Sequence, residues 1–173
     1  MQFPESLITL AGFVLAHAAW NVSDLPNGEL LVPLAIVERS GHRQLLRFEA
    51  DTQEKAIAEG KATLAAHEGD IDAWAFAREG QMQVGGKYVD VLTVEAKQKG
   101  SSTSIVFIQR FEPFASGKFK LLGAPTVAIG GDVLPRKVVS STAAATILAQ
   151  LQAGVQTHAK AVEHWQEWFA PGA

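Results

Sequence analysis

The residues of this chain best suited to acid–base or metal chemistry are its five histidines, His17, His42, His67, His158 and His164. Metal ligands on a helix recur at i, i+3 or i+4, which sets both on one face. His158 and His164 are too far apart for that. His67, Glu68, Asp70 and Asp72 cluster at the predicted end of a helix. They offer fewer oxygen ligands than a calcium loop requires, and the expectation is a solvated loop with no metal. His17 lies in the most apolar stretch of the chain. A lone histidine there reads first as a core or interface residue bonded to backbone. A functional His17 would line a pocket with a partner such as Asp90 or Arg110.

Asp90 lies in the run Tyr88-Val89-Asp90-Val91-Leu92. A carboxylate on a partly apolar face is unfavourable unless paired. Arg47, Arg78 and Arg110 are the strand arginines available to answer it. The bland expectation is a cross-strand ion pair worth about 0.2–1 kcal/mol. The sharper one is a polar pocket in the sheet binding a small anion; separately, a pocket between sheet and helices would use Asp90, Arg110, His17 or His158. Burial along the last helix would shift the pKa of His158.

Other chemistries lack their residues. There is no cysteine, hence no disulfide, thiolate metal site or cysteine nucleophile. No phosphate loop, dinucleotide fingerprint, HExxH zinc motif or GxSxG elbow occurs, and Gly85-Gly86 and Gly130-Gly131 lack a phosphate-loop context. No cofactor is expected. The net charge of −3, with Arg136-Lys137 the only adjacent basic pair, argues against nucleic-acid and membrane-surface partners.

These residues must be positioned by a fold. With 173 residues, 47% of them apolar and 19% charged, the composition is that of a globular chain able to bury a core. No linker, repeat or low-complexity tract appears, so residues 1–173 read as a single α+β domain. The apolar run from Leu7 to Trp20 lacks a basic leader and is shorter than the roughly 20 residues a spanning helix needs. It reads as a core helix capped by Ser6. Cytoplasmic placement follows, with export the alternative if residues 1–18 are an atypical signal peptide.

Pro26-Asn27-Gly28 marks a turn. Leu31 to Glu38 reads as a strand placed at an edge, or bulged, by Pro33. Arg43 to Ala50 returns as its hairpin partner. Asp51 and Glu54 suggest a capping box opening a second helix that Gly69 stops. Ile71 to Val84, interrupted near Glu79-Gly80, pairs across Gly85-Gly86 with Lys87 to Lys97. Ser104 to Phe114 and Lys118 to Leu122 follow, and Val127 and Ile129 suggest an edge.

Leu148, Leu151, Val155, His158, Val162, Trp165 and Phe169 alternate steps of three and four. That spacing predicts one long amphipathic helix from about Ser140 to Phe169, roughly 40 Å long. The fold class expected is α+β: a mostly antiparallel sheet of about five to six strands, an N-terminal helix, one central helix and a long C-terminal helix. The order α-β-β-α-β-β-β-α resembles the profilin-like and roadblock topology in element order alone, which carries no function.

The functional expectation is a non-enzymatic protein that works through protein contacts, self-associating as a homodimer. Val155, Val162, Trp165, Trp168 and Phe169 form its interface patch. The alternative is a small-ligand-binding domain or small enzyme with a polar pocket between sheet and helices.

Overall fold

The computed structural model describes residues 3–131 and 136–171. The chain opens with helix α1 (Glu5–Val22), whose apolar residues run around its whole circumference. Such a helix needs cover on more than one side. It receives it, with Leu7, Leu10, Ala11, Val14, Leu15, Ala16, Ala18 and Ala19 all at most 1% exposed. The helix is entered from Pro4 with no side-chain cap, so Ser6 lies inside the first turn and accepts from Thr9 through its carbonyl.

Strands β1 (Leu34–Arg39) and β2 (His42–Arg47) form the first hairpin. β1 is not an edge. It pairs with β2 on one side and β3 (Ala73–Val84) on the other. Pro33 precedes the strand, and its carbonyl accepts from the Phe48 N–H. The missing donor of Pro33 therefore falls outside the ladder. Between the hairpin and β3 lies helix α2 (Gln53–Ala66). Its cap is Thr52, which accepts from the Lys55 N–H, while Asp51 reaches Lys55 Nζ at 3.7 Å.

β3 and β4 (Lys87–Gln98) form a long hairpin across Gly85-Gly86, both glycines at positive φ as a tight two-residue turn requires. Glu79-Gly80 does not interrupt β3: Glu79 pairs with Leu92 and Gly80 with Val91. β5 (Ser104–Glu112), β6 (Lys120–Leu122), β7 (Thr126–Gly130), β8 (Lys137–Val138) and β9 (Phe169–Ala170) complete the sheet. The strand order is β2-β1-β3-β4-β5, after which the lower part of β5 pairs β7 and its end pairs β6. β7 is thus flanked by β5 and β8 rather than lying at an edge.

The α+β class holds, but the sheet is mixed and has nine strands among the described residues. The parallel pair is β6 with β9, where Leu121 faces Phe169. The strands missing from the sequence reading, β8 and β9, are two residues long each, too short for an alternating pattern to register.

The long C-terminal helix is also corrected. It breaks into α3 (Ser141–Val155), α4 (Ala159–Val162) and α5 (Trp165–Trp168). At the break His158 takes extended backbone angles, φ −88° and ψ 104°, and its side chain caps α4. Thr157 Oγ1 donates to the Gly154 carbonyl at 2.6 Å.

One face of the sheet carries α1, with α3 stacked against it, and the other carries α2. The two helices meet through glycine. A Cβ on Gly12 would lie 2.0 Å from the Leu151 carbonyl oxygen, and one on Gly154 would lie 2.1 Å from that of Thr9. This contact brings the C-terminal end of α3, and His158 just beyond it, onto α1.

Candidate functional site

The α1 surface that meets the end of α3 presents Phe13, His17 and Trp20 at helical spacing, so the three rings share one side of the helix. The chain leaves α3 at Val155, and the His158 ring enters among them. Its centroid lies 5.0 Å from Phe13, 5.2 Å from His17 and 5.9 Å from Trp20. His17 Nδ1 and His158 Nε2 are 3.0 Å apart.

The proton on each ring can be placed. The Ala161 N–H donates to His158 Nδ1 at 3.0 Å, so that nitrogen carries no proton. A neutral His158 therefore holds its proton on Nε2, the atom facing His17. His17 Nδ1 must accept it, and the His17 proton sits on Nε2, at the far edge of its ring. The chain of donors runs from the α4 backbone through two imidazoles and ends in the His17 Nε2–H.

Burial lowers the pKa of both histidines below the ordinary value of 6.5. For His17 the neighbouring His158 and the positive charge of Arg47 add to that effect. Both rings are therefore neutral at pH 7, as the donor chain requires.

His17 lines a cleft of about 230 Å³ between α1, the 25–34 segment and β2. Leu25, Leu30, Leu31, Val32, Leu34 and Leu45 form its apolar walls. Its polar groups are His17, Asn21, Glu29 and Arg47. The Asn21 amide donates to the His17 carbonyl at 2.8 Å. Arg47 forms no salt bridge with any described residue. The strand pleat explains its position: Ile36 of the α1-side core pairs with Leu45, so Arg43, Leu45 and Arg47 alternate onto that face. Arg43 lies over the Phe13 ring at 5.3 Å and holds Glu38 at 3.6 Å. With a neutral donor, a guanidinium that has no salt bridge and leucine walls in its lining, the cleft suits an acidic head on an apolar tail. His17 Nε2 carries a proton and presents no lone pair to abstract another.

The four predicted pocket residues divide. His17 and His158 come together. Asp90 lies on the same face of the sheet, pairing with Phe111, but in a separate hollow where Gln81 Nε2 donates to it at 3.2 Å. Arg110 pairs with Val91 and so projects from the opposite face, which rules out a cross-strand pair with Asp90. Glu79 lines the Asp90 hollow, is 9% exposed and accepts the Leu31 N–H at 3.0 Å. Burial raises its pKa, and the Asp90 charge adds to that.

Val155, Trp165 and Trp168 are buried within the chain at 1%, 6% and 7% exposure and have little surface to offer a second copy. Val162 and Phe169 are half-buried. In the 67–72 cluster, Glu68 binds Lys97 Nζ at 2.6 Å and Asp72 accepts from the Ser40 N–H at 2.7 Å. The main residue missed by sequence reasoning is Arg47 in this role. Its signal was the Arg-x-Leu-x-Arg alternation of β2, visible once the strand's faces are assigned.

No family model matches this chain, and no curated protein and no solved structure matches it either. No helix among the described residues is long and apolar enough to cross a membrane.

Proposed function

We propose that this protein is a non-enzymatic binding domain whose His17–Arg47 cleft takes a small carboxylate with a short apolar tail. The observation that carries this reading is the donor chain from Ala161 through His158 to His17. It leaves the proton of His17 on Nε2, in a cleft that is also lined by Arg47, which has no acidic partner among the described residues. A carboxylate accepts from both, and the leucine walls take the tail.

Titration calorimetry with butanoate, hexanoate and octanoate tests the reading, with hexylamine as the control of opposite charge. Hexanoate is expected to bind and hexylamine to give no heat. A hydrogen bond to a charged group is worth about 1.5–3 kcal/mol, so Arg47→Ala weakens hexanoate roughly tenfold to a hundredfold. His17→Phe keeps the ring but removes the donor, and weakens binding less. Absence of heat from all three carboxylates, or Arg47→Ala binding them as well as the parent protein, overturns the proposal.

A further inference from the structure

Among the described residues the sheet ends at β2, a six-residue strand whose one strand partner there is β1. Its exposed residues His42, Arg43, Gln44, Leu45 and Arg47 leave it open on the outer side. A free edge of this kind presents a row of unpaired backbone groups and accepts another strand unless something discourages it. Here the deterrent is charge. Two copies pairing antiparallel about Leu45 would set Arg43 of one against Arg47 of the other on the same face, and pairing about Gln44 would set the same arginines diagonally across from one another. Like charges directly opposite are destabilising. The same arginines select for a strand of opposite sign.

We infer that the free edge of β2 receives an acidic, extended segment of a partner protein as an added strand. Its backbone pairs with β2. Side chains at alternate positions fall beside Arg43, Leu45 and Arg47, so the matching pattern is acidic, apolar, acidic on that face. Charge complementarity commits the edge to this occupant rather than a second copy. The cleft adds to it, because Arg47 lines both the edge and the His17 pocket. The inference rests on the carboxylate reading of Arg47 and adds backbone pairing to it.

The probe is a blocked peptide of alternating glutamate and valine, with a lysine–valine peptide as control. Two further versions carry N-methyl groups on either the odd or the even residues. An added strand uses alternate N–H groups for pairing. One methylated version is therefore expected to lose at least tenfold in affinity while the other binds like the unmodified peptide. Amide exchange in β2 is expected to slow on binding, Arg43→Ala and Arg47→Ala each to weaken it, and the lysine–valine peptide not to bind. Equal binding by both methylated versions overturns the inference. So does β2 protection that rises with protein concentration in the absence of peptide, which would identify a second copy as the occupant. If hexanoate binds and the glutamate–valine peptide does not, the edge inference falls while the small-carboxylate reading stands. If neither binds, both fall.

Discussion

At the scale of single residues, the His17–His158 pair links proton binding to folding. Suppose His17 takes a proton on Nδ1. That N–H then faces the Nε2–H of His158, and relief requires the His158 proton to move to Nδ1. The move breaks the bond from the Ala161 N–H that caps α4. Both folded-state pKa values are lowered, by burial first of all. The unfolded state therefore binds protons before the folded state does. The pair's contribution to stability is complete above the ordinary histidine value of 6.5 and is lost as pH falls through and below it. The positive charge of Arg47 from β2 opposes protonation of His17, and Glu29 lines the same cleft. Urea titrations from pH 8 to pH 5 are expected to show stability falling below about pH 6.5. The fall is expected to be smaller in His17→Phe. A fall of equal size in His17→Phe would place the titration elsewhere. His17 and His158 were each legible as candidates, but not as partners. They are far apart in sequence, and only the crossing of α1 and α3 joins them.

At the scale of elements, that crossing depends on Gly12 and Gly154. Cβ atoms there would collide with backbone carbonyls, which cannot rotate away as a side chain would. Overpacking a well-filled contact typically costs about 1–3 kcal/mol. Gly12→Ala and Gly154→Ala are expected to fall in the upper part of that range and to separate His17 from His158. Gly69→Ala, with nothing near its added methyl, is the control expected to be neutral or slightly stabilising. Thermal melts compare the three. A Gly12→Ala protein as stable as Gly69→Ala would contradict the close crossing.

The break after α3 shows why periodicity misled. Leu151, Val155, His158 and Trp165 are all buried, so the three-four spacing runs on through a non-helical residue. No proline marks the place, and Gly154 lies inside α3, one residue before its end. His158 stops the helix because its ring caps the next one and bonds across to His17, and neither partner is visible locally. The cap of the second helix shifted for a simpler reason, since neighbouring residues of similar type compete for one position, whereas α1 starts from Pro4 with no side-chain cap. Thr52 won over Asp51 because it is Thr52 that has the extended backbone a cap requires.

At the scale of the molecule, the apolar N-terminal run announced a helix needing cover on several sides, and it lies between the sheet and α3. The hairpins β1–β2 and β3–β4 were legible because turn residues and alternating strands agree there. The far end of the sheet was legible only in part, as a strand at Lys118 to Leu122 and an edge at Val127 and Ile129. β8 and β9 are held by tertiary pairing, and β9 joins only because the chain returns after α5 to lie parallel to β6. The cleft belongs to this scale too, since its lining comes from α1, the 25–34 segment and β2. Its leucine walls look like ordinary core residues in the sequence. Their meaning depends on the polar head that His17 and Arg47 form when the three elements converge.

A long-range proton–nitrogen correlation spectrum of the imidazoles, recorded at pH 7.5 with and without hexanoate, tests the donor chain and the binding proposal together. The account predicts that His17 and His158 are both protonated on Nε2 alone. Hexanoate should shift His17 Nε2 saturably while leaving His158 in the same tautomer. A His158 protonated on Nδ1, or a His17 Nε2 signal indifferent to saturating hexanoate, would contradict it.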